Sequence, residues 1–176
     1  RPEDRTRLRR GRRGDRTSPS LIQVAVCGPR DCTETERRDA YEIGRLLAGR
    51  GAVVLCGGYT GVMGAVTEGA RSGGGLVVGV LSGAGRADAH PGLSVAIATG
   101  MGQARNAALV GSADAVIVIG GSWGTLSELA HAMRRGDVPV VQLGGWRLYD
   151  AAGGPVPGPL EAGSPEEALS LTGLWS

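Results

Sequence analysis

The 176-residue sequence contains no lysine; all 19 of its basic residues are arginine. Without lysine there is no Schiff-base nucleophile, no anchor for pyridoxal phosphate and no phosphate-gripping lysine of a P-loop. Phenylalanine is absent too, and three Trp with three Tyr make up the whole aromatic complement. So few rings leave little for stacking single-stranded nucleic acid, and a nucleic-acid partner is not expected. No apolar run reaches the roughly 18 residues of a membrane span and no signal peptide is recognisable, so a cytoplasmic protein without a membrane partner is expected. Cysteine is scarce and odd in number. Cys27, Cys32 and Cys56 show no metal-ligand pairing, which fits a reducing compartment. Cys27 and Cys56 end apolar runs and read as buried thiols. His90 and His131 have no partner at ligand spacing, so no metal site is expected.

What the chain holds in quantity is glycine, 32 residues, and arginine. The glycines follow no collagen period and fall mostly at the ends of apolar runs, where an α/β protein makes tight turns. Eight arginines crowd into residues 1–20 against Glu3, Asp4 and Asp15, a local balance of +5; with the chain at +2, the remainder carries −3. The positive charge therefore belongs to an arm, poor in large apolar side chains and expected to be flexible. It reads as a solvated extension, with contact to nucleic acid or an acidic surface as the alternative. Residues 21–176 suffice for one sizeable core and show no repeat and no second boundary, so a single domain is expected.

Residues 115–132, AVIVIGGSWGTLSELAHA, organise the chain. Val116, Ile117, Val118 and Ile119 form a β-branched apolar run suited to a strand covered on both faces. Gly120, Gly121 and Gly124 then allow a tight turn and close approach to a ligand. Thr125 is expected to start a helix whose free amides and positive dipole end face that turn, a seat for phosphate. Glu128 stands one helical turn further on, either facing the ligand or only favouring the dipole.

The rest of the chain alternates in the same way. Apolar runs at 21–27, 52–56, 76–81, 94–99 and 138–143 read as strands, and helices are expected at 33–48, 62–71, 102–112 and after Ser164. Thr33 with Glu36 has capping-box spacing, and Ser164-Pro165 is a helix start. Residues 144–163 read as irregular. Strands alternating with helices through short loops predict an α/β fold, a doubly wound, mainly parallel, Rossmann-like sheet. Ligands of such sheets bind at the carboxyl ends of the strands, where strand order reverses. The loops at 27–30, 57–63, 99–106 and 120–125 should therefore meet.

These loops supply the candidates. Gly28 belongs to the first; Gly57, Gly58, Thr60, Gly61 and Met63 to the second; Gly102, Arg105 and Asn106 to the third; Gly120, Gly121, Ser122, Trp123, Gly124 and Thr125 to the last. Arg105 suits a bidentate phosphate clamp, against a role as surface arginine or partner of a neighbouring helix. Asn106 and Ser122 suit hydrogen bonds to sugar or phosphate. Trp123 is either a wall for a base or a packing residue. Neither glycine turn has GxGxxG spacing with a ribose-binding acid downstream, which argues against ordinary dinucleotide binding. The helices after Gly100 and Gly124 carry Ala104, Ala107, Ala108 and Leu109, and Leu126, Leu129, Ala130 and Met133. These apolar faces exceed one sheet contact and predict a homodimer.

Together, GGYTGVMGAVTEGARSGG, TGMGQARNAALV and IGGSWGTLSELAHA, in this order, resemble the LOG-like Rossmann superfamily. It includes cytokinin riboside 5′-monophosphate phosphoribohydrolases and proteins often labelled lysine decarboxylases. The resemblance covers about residues 21–143. The phosphoribohydrolases carry PGGxGTxxE; here Ile119 replaces the proline while Gly120, Gly121, Gly124, Thr125 and Glu128 match. Their Arg-Lys pair stands here as Arg105-Asn106. The GxxRN and GGxWGTLSE forms look more like the molybdenum-cofactor-carrier-like branch, whose members bind a phosphorylated pterin and commonly form dimers or tetramers. A decarboxylase label does not fit a chain without lysine.

The resemblance implies two functions. One is a carrier-like binding protein for a phosphorylated heterocycle, molybdenum cofactor or a nucleotide. The other is hydrolysis of a nucleoside 5′-monophosphate to free base and ribose 5-phosphate. In it Arg105 would hold phosphate while Glu128 positions water or ribose hydroxyls at the anomeric carbon. Neither requires a further cofactor. The departures at Asn106 and Ile119 favour the carrier.

Overall fold

The computed structural model describes residues 20–176, and all but Ser20 of the Arg-rich arm lies outside the described residues. In chain order the elements are β1 (Gln23–Cys27), α1 (Glu34–Gly49), β2 (Val53–Cys56), α2 (Val62–Ser72), β3 (Leu76–Leu81) and β4 (Val95–Ala98). A 3-10 turn at Gly102–Ala104 leads into α3 (Arg105–Gly111), followed by β5 (Ala115–Ile119), α4 (Trp123–Arg135), β6 (Val140–Leu143), β7 (Leu160–Ala162) and α5 (Pro165–Leu171). The strands form one seven-stranded sheet in the order β4-β3-β2-β1-β5-β6-β7, and every pairing is parallel. The expected Rossmann-like α/β architecture is therefore present.

Period-two alternation of apolar side chains builds a core on each face of the sheet. Val24, Val26, Ile117 and Ile119 face α1, α2 and α5, where Ile43, Leu47, Val66 and Leu169 cover them. Ala25, Cys27, Val116 and Val118 face α3 and α4 and pack on Leu109, Leu129 and Ala132. Each Val, Leu or Ile buried this way contributes about 1.5–3 kcal/mol, which is why a strand run without polar positions is stable here. On the first face α1 and α2 touch backbone to backbone. A Cβ on Gly44 would run into the Val66 carbonyl, and one on Gly69 into that of Tyr41. These mid-helix glycines serve packing rather than turns.

Helix starts follow the local chemistry. Thr33 caps α1 through a complete capping box, its Oγ1 accepting from the Glu36 amide at 3.2 Å while Glu36 Oε2 accepts from the Thr33 amide at 2.8 Å. Two expectations need correction. Helix α4 begins at Trp123 rather than Thr125, because Ser122 is extended (φ −159°) and already caps it. Residues 144–163 hold a strand, β7, whose three residues are too few to show a period. The crossover from β3 to β4 has no helix; residues 82–94 make it as a loop, and Val95 and Ile97 on edge strand β4 stay exposed. No helix among the described residues is long and apolar enough to cross a membrane.

Candidate functional site

Strand order reverses between β1 and β5, and the loops leaving their carboxyl ends separate there into a cleft. It holds a cavity of about 350 Å³, whose lining includes Gly28, Met63, Arg105, Ser122, Gly124 and Thr125 from the expected loops and Glu128 from α4. Gly28 allows this convergence: a Cβ there would lie 2.8 Å from the Ile119 carbonyl oxygen and against the Val62 side chain. Gly61 (φ +68°) does the same at the start of α2, where the Val62 amide donates to the Pro29 carbonyl at 3.0 Å.

The wall over β5 is the first turn of α4. Ser122 Oγ accepts from the Thr125 amide at 3.1 Å and shares a hydrogen bond with Thr125 Oγ1 at 2.9 Å. The Leu126 amide donates to the Ser122 carbonyl at 2.8 Å. The amides of Trp123 and Gly124 are left without an intrahelical acceptor at the positive end of the helix. A Cβ on Gly124 would meet only Ser122 Oγ, at 3.9 Å. Gly120 (φ +65°) turns the chain under Glu36, whose carboxylate a Cβ would strike, and Gly121 lies flat against the Trp146 indole.

Arg105 is only 6% exposed, and most of its guanidinium is already engaged. Nη1 donates to the carbonyls of Gly57 (2.9 Å) and Val80, and Nε donates to Asn106 Oδ1 at 2.9 Å. Nη2 is the one guanidinium nitrogen with no hydrogen bond among the described residues. Arg105 thus ties the carboxyl ends of β2 and β3 together while bringing its charge to the cavity. Asn106 is buried, holds Arg105, and reaches Gln103 and Ser127 with its amide nitrogen rather than the cavity.

Glu128 closes the floor. It is 6% exposed, and its Oε2 has no hydrogen-bond partner among the described residues. Burial pushes its pKa up to about 7, and Arg105 and a hydrogen bond with Cys27 counter that only in part. The buried Cys27 thiol is itself raised, by burial first and by Glu128 second. An unpaired acceptor in so dry a position is costly unless a ligand donates to it.

The cavity also contains residues the sequence did not single out: Pro29, Arg30, Tyr59, Ser82 and Gln103. The exposed Arg30 guanidinium lies 5.1 Å from the Tyr59 ring centroid and that of Arg105 lies 5.8 Å from it. The signal for Arg30 was an arginine three residues beyond a strand at the switch point; nothing local marks Ser82. Thr60 lines a neighbouring groove instead. Gly57, Gly58, Gly102, Gly120 and Gly121 do not line the cavity, and the first four shape or lead into its loops. Trp123 is 79% exposed, stands edge-on to Trp146 at 5.1 Å, and lies outside the cavity. Among the described residues no group of three or more His, Cys, Asp or Glu is placed to hold a metal ion.

A parallel sheet with a polar cavity at its switch point, bordered by a glycine turn and the first turn of a helix, defines a Rossmann-like α/β domain with a candidate ligand site. More narrowly, the chain belongs to the SLOG cluster4 family, whose model matches residues 21–154. The molybdenum cofactor binding protein of Rippkaea orientalis has the same fold at 33% identity and TM-score 0.78, over 88% of this chain and 96% of that one. The molybdenum cofactor carrier protein of Chlamydomonas reinhardtii is similar at 28% identity and TM-score 0.72, over 85% and 94% of the two chains. The cytokinin riboside 5′-monophosphate phosphoribohydrolase of Mycobacterium tuberculosis is 36% identical over 119 residues, 63% of this chain and 64% of that protein.

Proposed function

We propose that this protein is a carrier-like binding protein for a phosphorylated heterocycle, with molybdenum cofactor or a nucleotide as its cargo. The observation that carries this reading is the pairing of two unlike groups in one cavity. Gly124, in the first turn of α4 where the helix amides are free, offers a phosphate seat, and Glu128, buried with one oxygen unpartnered, lines the same cavity. A ligand with a phosphate at one end and an N–H or O–H donor further along satisfies both. Likeness to molybdenum cofactor binding and carrier proteins supports a role in holding the ligand. So does Asn106, which stands where the phosphoribohydrolases have lysine and is occupied with Arg105. No further cofactor enters this reading.

One observation favours the alternative, a phosphoribohydrolase. A carboxyl group with a pKa near 7 is well matched to moving a proton at neutral pH. In that chemistry water attacks the anomeric carbon and the glycosidic C–N bond breaks; Glu128 would take the proton from water, and a proton passes to the departing nitrogen, so that free base and ribose 5-phosphate leave. Chromatography of base released from a panel of nucleoside 5′-monophosphates, with wild type and Glu128→Gln side by side, decides between them. The carrier binds phosphorylated ligand and releases no base over hours. Robust release that falls about 10²–10⁴-fold in Glu128→Gln overturns the carrier.

The reading includes a cytoplasmic homodimer, with a tetramer also compatible. Leu109 and Leu129 are buried against the sheet, but Ala107 and Ala108 on α3 and Ala130 and Met133 on α4, with Ala104 in the 3-10 turn before α3, leave an exposed apolar surface.

A further inference from the structure

Beyond Tyr59 the cavity continues into an open groove of about 570 Å³, with which it shares Arg30, Tyr59 and Ser82. Thr60, Gly83 and Asp88 complete the groove. We propose that this groove is a subsite for the 2-amino-4-oxopyrimidine edge shared by pterin and guanine rings, read by the Asp88 carboxylate. The inference rests on the phosphate-ligand reading above and extends it to the ring.

Tyr59 is a fixed partition. Its hydroxyl accepts from the amides of Ser82 (3.1 Å) and Gly83 (3.2 Å), which leaves its proton for Ser82 Oγ at 3.1 Å. The Arg30 guanidinium lies 5.1 Å from the centroid of the same ring, so the passage is bordered by an aromatic ring and a planar cation, both suited to contact with a planar heterocycle. Asp88 is exposed and makes no hydrogen bond or ion pair among the described residues, although arginine is abundant in the chain.

The α4 amides and Arg105 favour the phosphate in the first chamber; Arg30 lines both chambers and adds positive charge to each, so Asp88 alone distinguishes the second. The group that meets the Asp88 carboxylate must donate to it. A carboxylate accepts best from two parallel N–H groups, as it does from a guanidinium. The ring N–H and the neighbouring 2-amino group of guanine or a pterin have that arrangement. Adenine and cytosine place an acceptor nitrogen beside their amino group, and uracil flanks its single N–H with two carbonyls. Each would set a lone pair against the carboxylate.

The test is a calorimetric comparison of GMP, AMP, 6-hydroxymethylpterin monophosphate and ribose 5-phosphate, on the full chain and on Asp88→Asn. Wild type should bind GMP or the pterin phosphate about 5–100-fold more tightly than AMP, the discrimination of a bidentate base-edge contact. The tighter of these two identifies the ring. In Asp88→Asn, folded by its melting curve, the preference over AMP should collapse to near one. Equal affinity for GMP, AMP and the pterin phosphate, with ribose 5-phosphate still bound, overturns the subsite and leaves the phosphate-binding reading standing. A loss in Asp88→Asn shared equally by AMP and GMP assigns the carboxylate to ribose hydroxyls and also overturns it. Failure of all four ligands to bind wild type removes both readings.

Discussion

Glu128 holds its proton because water has been taken from it, and that has a consequence for stability. The unfolded chain loses this proton near pH 4.5, whereas the folded protein keeps it until about pH 7. Between those values the folded state binds the extra proton, so the contribution is fully present below pH 4.5 and is lost as pH rises through 7. It amounts to up to about 3 kcal/mol. Glu128→Gln should remove this dependence, giving a ligand-free protein whose advantage over wild type grows from pH 5 to pH 8 in urea denaturation. A constant difference across that range would disprove the buried-proton account. At Gly124 the expectation concerns binding. Gly124→Val adds a side chain at the phosphate seat, yet its Cβ meets no packed neighbour and valine suits a helix better than glycine. The variant should fold normally and lose measurable binding of phosphate ligands; unchanged affinity would remove the seat from this turn. Both residues were legible as candidates from glycine and carboxylate spacing alone. The embedded state of Arg105 was not, since its acceptors Gly57 and Val80 are far away in sequence.

At the scale of the element, α4 depends on how it begins. Ser122 supplies the cap that an apolar strand followed by two glycines otherwise lacks, and Ser122→Ala should cost about 1 kcal/mol by chemical denaturation. The same change frees the Thr125 amide toward the cavity, so phosphate-ligand binding should survive in a variant that is measurably less stable. No loss of stability would mean the cap is dispensable. The strand-glycine-helix motif was readable because hydrophobic period and turn chemistry act within a few residues. The helix boundary was misplaced by two residues because Trp123 carries no start signal of its own. Strand β7 escaped notice for a related reason: Leu160–Ala162 owes its strand character to pairing with β6, and no local pattern announces that.

For the whole molecule, the exposed alanine surface of α3 and α4 argues for a second copy. Ala108→Arg would place a long charged side chain on that surface, and light scattering at micromolar concentration should then show a monomer where wild type is a dimer. A monomeric wild type would count against the dimer directly. By itself the sequence determined the order of elements apart from β7, the parallel doubly wound class and the four loops that gather at one edge. It could do so because alternation, capping and glycine turns are local, and because the handedness and short connections of α/β units leave few arrangements. Only the tertiary structure decided which of those loop residues face the cavity. It turned Trp123 outward against Trp146, engaged Asn106 with Arg105, and brought in Arg30, Tyr59 and Ser82. It also left Glu128 dry, with an unpaired oxygen. Burial and hydrogen-bond partnership at these positions arise from strands and loops distant along the chain, and no window of sequence contains them.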